Sequence, residues 1–108
     1  MTDKNLIRIC TQFRAGVLGG KNEKSKDKCL WVSSPLCSYL NFLKVKCRMI
    51  EYCVTIGENI TYHHCILLDD GRIIDPTADQ FNEIRKLEMP KVYLGEKPSH
   101  YMEIKKRK

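Results

Sequence analysis

The chain has 108 residues, 43% hydrophobic and 30% charged, with a formal net charge of +6. That length supports one core burying roughly two-thirds of what the unfolded chain exposes, and excludes a second domain. No apolar run approaches the roughly 18 residues of a membrane span, and Met1-Thr2-Asp3-Lys4-Asn5 lacks the charged-then-apolar profile of a secretory leader. The expected address is therefore the cytoplasm, where the six cysteines are thiols, not a disulfide framework, and the sequon Asn59-Ile60-Thr61 carries no glycan. One domain is expected over 1–104, with a basic tail at 105–108.

In chain order, residues 4–17 read as an amphipathic helix. Leu6, Ile7, Cys10, Phe13 and Val17 share one face, with Lys4, Arg8, Gln12 and Arg14 on the other. Gly19-Gly20 stops it, and the polar run Lys21 to Lys28 reads as an exposed loop. A second helix lies within Cys29 to Leu43, with Val32, Leu36, Leu40 and Leu43 inward. Its start is open: Ser34-Pro35 has the form of an N-cap and first helical proline, whereas a start at Cys29 places a kinking Pro35 inside.

From Val45 the period becomes two, predicting a strand to Ile56, a turn at Gly57-Glu58-Asn59, and strands Ile60 to Leu68 and Arg72 to Asp75. Asp69-Asp70-Gly71 between the last two is a hairpin signal. A short helical piece near Ala78 to Leu87 and an extended Lys91-Val92-Tyr93-Leu94 precede the tail. Helices first and an antiparallel sheet after make the class α+β, with N-terminal helices packed on a small sheet.

A thiol at a helix N-terminus, a histidine within reach and a group that orients the histidine make a nucleophilic site. Cys29, then His63 and His64, then Asp75 supply these in order. If Asp69-Asp70-Gly71 is a three-residue loop, Cys65 faces Asp75 and His63 lies diagonal to it; with two loop residues His64 takes that place. Both histidines stay candidates.

These residues also carry a resemblance. Cys29-Leu30-Trp31-Val32 through Leu40 and Leu43 resembles the nucleophile helix of papain-like and transglutaminase-like proteins. Val45-Lys46-Cys47-Arg48 holds the place of that family's "ipaR" strand, Tyr62-His63-His64-Cys65 that of its "HxW" strand, and Asp75-Pro76-Thr77 that of its "DPT" signature. Gly71 to Phe81 is similar to the "DGxIIDPTAxQF" block of small papain-like proteins of bacteria and phages, and Val92-Tyr93-Leu94-Gly95 to their "VYxG". The resemblance covers residues 29 to 95. It implies a papain-like/transglutaminase-like core and acyl transfer at an amide or thioester, of peptidase, deamidase, transglutaminase or amidohydrolase type. By the same resemblance Cys29 is the nucleophile, Asp75 the orienting carboxylate and His63 the base in the H-x-W register, twelve residues before Asp75. His64 fits the shorter H-W spacing.

Other readings stand beside this one. If Ser34 caps the second helix, Cys37 occupies its first turn and becomes a rival nucleophile; Cys10, Cys47, Cys53 and Cys65 read as small buried hydrophobes. There is no C-x-x-C pair, so no metal and no cofactor are expected. The substrate or partner would be an amide- or peptide-containing molecule or a host protein, with no membrane. The lysine-rich tail could also hold nucleic acid through phosphates.

Relative to the family pattern the aromatic beside the histidine is absent, Pro35 lies within the helix, and no oxyanion donor stands just upstream of Cys29. Gln12 is seventeen residues away, which leaves the Cys29 backbone N–H, Asn22 or no donor at all. These departures support the alternative, a non-catalytic binding or inhibitory module on the same fold, such as a phage or mobile-element protein acting on a host partner.

Overall fold

The computed structural model describes residues 1–19 and 27–104. The expectations for residues 20–26, Asn22 among them, and for the basic tail at 105–108 lie outside the described residues. Helix α1 spans Asp3–Leu18 and α2 Cys29–Phe42. Strands β1 (Cys47–Ile56) and β2 (Asn59–Leu68) form a long hairpin, followed by β3 (Ile73–Asp75), a 3-10 turn at Ala78–Phe81, α3 (Asn82–Arg85), β4 (Tyr93–Gly95) and β5 (Met102–Glu103). The sheet is antiparallel in the order β4-β3-β2-β1-β5. The class is α+β, as the order of periodicities implies.

Thr2 caps α1 by accepting from the Asn5 N–H at 3.2 Å, and Gly19 ends it in the left-handed region with its N–H bonded to the Ala15 carbonyl at 3.0 Å. The buried stripe of α1 is Leu6, Cys10 and Arg14. This corrects the expectation that Arg14 faces solvent: it is 0% exposed, while Ile7 of the expected apolar face is exposed. Helix α2 begins at Cys29 and runs through Pro35, which sits on its exposed side. There the carbonyl that loses its helical partner can turn to water, which limits the cost of an interior proline. The alternative start at Ser34-Pro35 is thereby set aside. At its far end Asn41 donates to the Cys37 carbonyl at 3.1 Å and the Cys47 carbonyl at 3.0 Å, tying α2 to β1.

Both faces of the sheet are covered. On one, Leu6, Cys10, Leu36, Cys37 and Leu40 of the helices pack on Ile66, Leu68 and Ile74. On the other, Phe81 and Tyr101 pack on Tyr52, Val54, Cys65 and Ile73. Each such large apolar side chain contributes about 1.5–3 kcal/mol on burial. The second layer, made by the turn after β3 and by the C-terminal segment, is what sequence periodicity did not anticipate. β5, two residues long, was likewise not expected.

The β2–β3 connection takes the three-residue form. Leu68 and Arg72 close it, with the Leu68 N–H bonded to the Arg72 carbonyl at 2.8 Å, and Gly71 adopts φ 90° at its last position. Ile66 therefore pairs with Ile74, and Asp75 lies one step along, opposite Cys65.

Candidate active site

β3 stops at Asp75, while β2 extends beyond it toward Asn59. At the level of His63 and His64, β2 therefore has β1 on one side and no strand on the other. Helix α2 fills that place. Ser33 Oγ donates to the His64 carbonyl at 3.4 Å, and the His64 backbone N–H points to the Cys29 thiol. Cys29, the first residue of α2, is thus held at the open edge of the strand, within reach of side chains from both sheet faces.

His63 projects onto the face opposite the helices and is 0% exposed. Its Nε2–H donates to Asp75 Oδ2 at 2.5 Å. Asp75 is equally buried, and each of its oxygens is used twice. Oδ2 also accepts from the Tyr101 hydroxyl, and Oδ1 accepts from the Thr77 N–H at 3.0 Å and the Thr77 hydroxyl at 3.4 Å. A buried carboxylate needs that degree of satisfaction to stay charged. Phe81 packs edge-on against the His63 ring at 5.0 Å, and Tyr101 lies at the same distance. On the far side of the imidazole, Gln80 Nε2 donates to Nδ1 at 2.6 Å. When His63 is protonated, a half-turn of the amide presents its oxygen to Nδ1–H instead.

His64 projects onto the helix face and is 27% exposed. Its Nε2 meets Glu51 Oε2 at 2.6 Å across the β1–β2 pair, and its Nδ1 lies 3.8 Å from Cys29 Sγ. One thiol therefore has two imidazoles beside it, each with its own carboxylate.

The electrostatics follow. Burial pushes the Cys29 thiol up, but hydrogen bonds from the His63 side chain and from the His64 backbone and side chain, with the charge on His63, outweigh it and lower the thiol to about 6. Burial pulls His63 down, and the Asp75 charge and hydrogen bond override it, raising the imidazole to about 9. Between those values the thiolate and imidazolium coexist. The other shifted thiols move the opposite way: burial raises Cys10 to about 12, burial and Cys37 raise Cys47 to about 12, and burial followed by the Asp75 charge raises Cys65.

The loop that carries these partners is anchored from α1. Arg14 donates to Asp79 at 2.6 and 2.9 Å, to the Pro76 carbonyl at 3.2 Å and to the Lys91 carbonyl at 2.8 Å. This accounts for the Asp75-Pro76-Thr77-Ala78-Asp79-Gln80-Phe81 block as a unit. Asp75, Gln80 and Phe81 touch His63, Thr77 holds Asp75, and Asp79 locks the segment to Arg14. In front of the thiol lies a cleft of about 330 Å³, lined by Cys29, Leu30, Ile56, Tyr62, His64, Gln80 and Ile84 among others. The N-cap residue of α2, Lys28, makes no side-chain capping bond, and the helix start lies next to this cleft.

The structure therefore brings Cys29, His63, His64 and Asp75 together. It does not bring Cys37 to them: Cys37 is buried in the third turn of α2, with Cys47 Sγ at 3.7 Å, in the core beneath the helices. The rival reading of Cys37 as a helix-start nucleophile is thus corrected by the helix starting at Cys29. Gln12 lies on α1 beside Ile9, Phe13 and Tyr39, away from the cleft. Four participants escaped sequence reasoning: Gln80, Tyr101, Glu51 and Arg14. Gln80 had a signal, its place in the most specific block; Tyr101 had none.

Among the described residues, no group of three or more His, Cys, Asp or Glu is placed to hold a metal ion, and no helix is long and apolar enough to cross a membrane. Comparison with protein-family models, curated proteins and solved structures returns no match.

Proposed function

We propose that this protein is a cysteine-dependent acyl-transfer enzyme of the papain-like/transglutaminase-like class, using Cys29, His63 and Asp75 on an amide- or peptide-containing substrate. The observation that carries the reading is the half-buried Cys29 thiol at the start of α2 beside the buried His63–Asp75 pair. The chain order of helix cysteine, strand histidine and next-strand aspartate supports the class. In this reading the Cys29 thiolate attacks the acyl carbon, an acyl-enzyme forms, and water or an amine releases it. The backbone N–H of Cys29 and the Gln80 amide, both from residues lining the cleft, are the candidate donors to the developing oxyanion. The apolar lining from Leu30, Ile56, Tyr62 and Ile84 suits an apolar side chain on the substrate.

Incubation with p-nitrophenyl acetate and intact-mass spectrometry test this. The expected result is an acetyl adduct on Cys29, mapped by peptide, that is absent from Cys29→Ala. Adduct formation equal in both proteins would remove the reading.

A second reading is favoured by α2 itself. Trp31, Tyr39 and Phe42 recur along its outer side, with Trp31 66% and Phe42 76% exposed, and such a stripe suits a protein partner. A binding or inhibitory module would keep its partner affinity in Cys29→Ala and lose it when Trp31 and Phe42 become alanine.

A further inference from the structure

The two histidines beside Cys29 differ in what can reach them. His63 is fully buried, its Nε2 taken by Asp75 and its Nδ1 shared between the Gln80 amide at 2.6 Å and the Cys29 thiol. A leaving group or a water would have to displace the Gln80 amide to exchange a proton with it. His64 lines the cleft, its Nδ1 faces the thiol at 3.8 Å, and Glu51 holds Nε2 at 2.6 Å. A carboxylate on one ring nitrogen fixes the tautomer and leaves the other nitrogen free to take or give a proton. From this geometry, and resting on the acyl-transfer reading above, we infer that proton transfer is divided from thiol activation. His64, backed by Glu51, is a second catalytic histidine that serves the leaving group and the hydrolytic water, while His63 stays charged beside the sulfur.

Cys29 Sγ bonds the acyl carbon, the bond to the leaving group breaks with its electron pair on that group, and His64 Nδ1–H supplies its proton. Neutral Nδ1 then takes a proton from water as the water oxygen bonds the acyl carbon. The carbon–sulfur bond breaks with its pair returning to sulfur, opposite the His63 cation. The product is the free acid, and His64 is again protonated. Glu51 does not touch substrate in this scheme; it is a positioning residue for His64.

The test separates the two histidines by separating alkylation from deacylation. In His64→Gln, iodoacetamide should still label Cys29 at pH 7 within about twofold of the unaltered protein, because the His63 cation remains. The acetyl-Cys29 adduct left by p-nitrophenyl acetate should persist at least about tenfold longer, the low end of what a lost general base costs. Glu51→Gln should lengthen it less, and added imidazole should shorten it in His64→Ala. An unchanged adduct lifetime in folded His64→Gln overturns the inference, as does a loss of alkylation as complete as that in His63→Gln, which would make His64 the thiol's own base. Failure of the acyl-transfer reading is told apart because it appears in the unaltered protein, as slow alkylation and no adduct.

Discussion

Cys29 and His63 each shift against the direction that burial alone would impose: the Asp75 charge and hydrogen bond raise His63, and the bonds from His63 and His64 lower Cys29. The sign of the pH dependence follows. Below about 6 the thiol is protonated and cannot attack; above about 9 His63 loses the proton that stabilises the thiolate. Acyl transfer measured as kcat/KM is expected to rise through the lower value and fall through the upper one, and a single limb near an ordinary thiol would contradict the pairing. At this scale the sequence was informative where spacing constrains geometry. The step to Asp75 is readable as a choice between His63 and His64, because strand parity admits only one of them and the loop length, open in the sequence, decides which. Tyr101 was not readable, since its contact with Asp75 depends on how the C-terminal segment crosses the sheet, and no period encodes that. Arg14 was misread for a related reason: a charged residue at a helical spacing that could be either face was assigned to water, whereas Asp79 and two carbonyls make burial tolerable.

Elements explain why the site is assembled where it is. A short β3 leaves the β2 edge open, and α2 occupies that edge with its first residue. Two changes probe this arrangement. Arg14→Ala should cost about 3 kcal/mol in urea unfolding, the low end for breaking a buried pair because Asp79 is 24% exposed, and should release the Pro76–Gln80 segment from α1. A cost within a few tenths of a kcal/mol, the range of ordinary surface changes (about 0.5 kcal/mol), would show that the anchor is dispensable. Pro35→Ala restores an N–H to the middle of α2 and should raise stability, by up to about 3 kcal/mol if the full interior-proline cost applies. A loss of stability would mean that α2 depends on the proline. The helices and the β1–β2 hairpin were legible from periodicity and turn residues. The 3-10 turn and α3 were legible only as one helical stretch, because the Asp75–Phe81 segment is shaped by the partners of its side chains more than by helix propensity.

On the scale of the whole molecule, two faces of one sheet contribute to one thiol: Asp75 and His63 from the layer under Phe81 and Tyr101, His64 and Glu51 from the layer shared with α2. An isolated helix or hairpin could not produce this, so thiol activation should vanish with the fold. The outer strands are short, three residues in β4 and two in β5, and β5 pairs with β1 only at Tyr52 and Cys53. Activation of Cys29 by His63 is read out by the rate of iodoacetamide labelling between about pH 4 and 9, with each alkylated cysteine located by mass spectrometry and His63→Ala alongside. Cys29 is expected to label first, with a midpoint near 6 that moves toward the ordinary thiol value of 9.0 in His63→Ala. Labelling of Cys29 with an ordinary thiol midpoint in the unaltered protein, or faster labelling of Cys37, would contradict that activation.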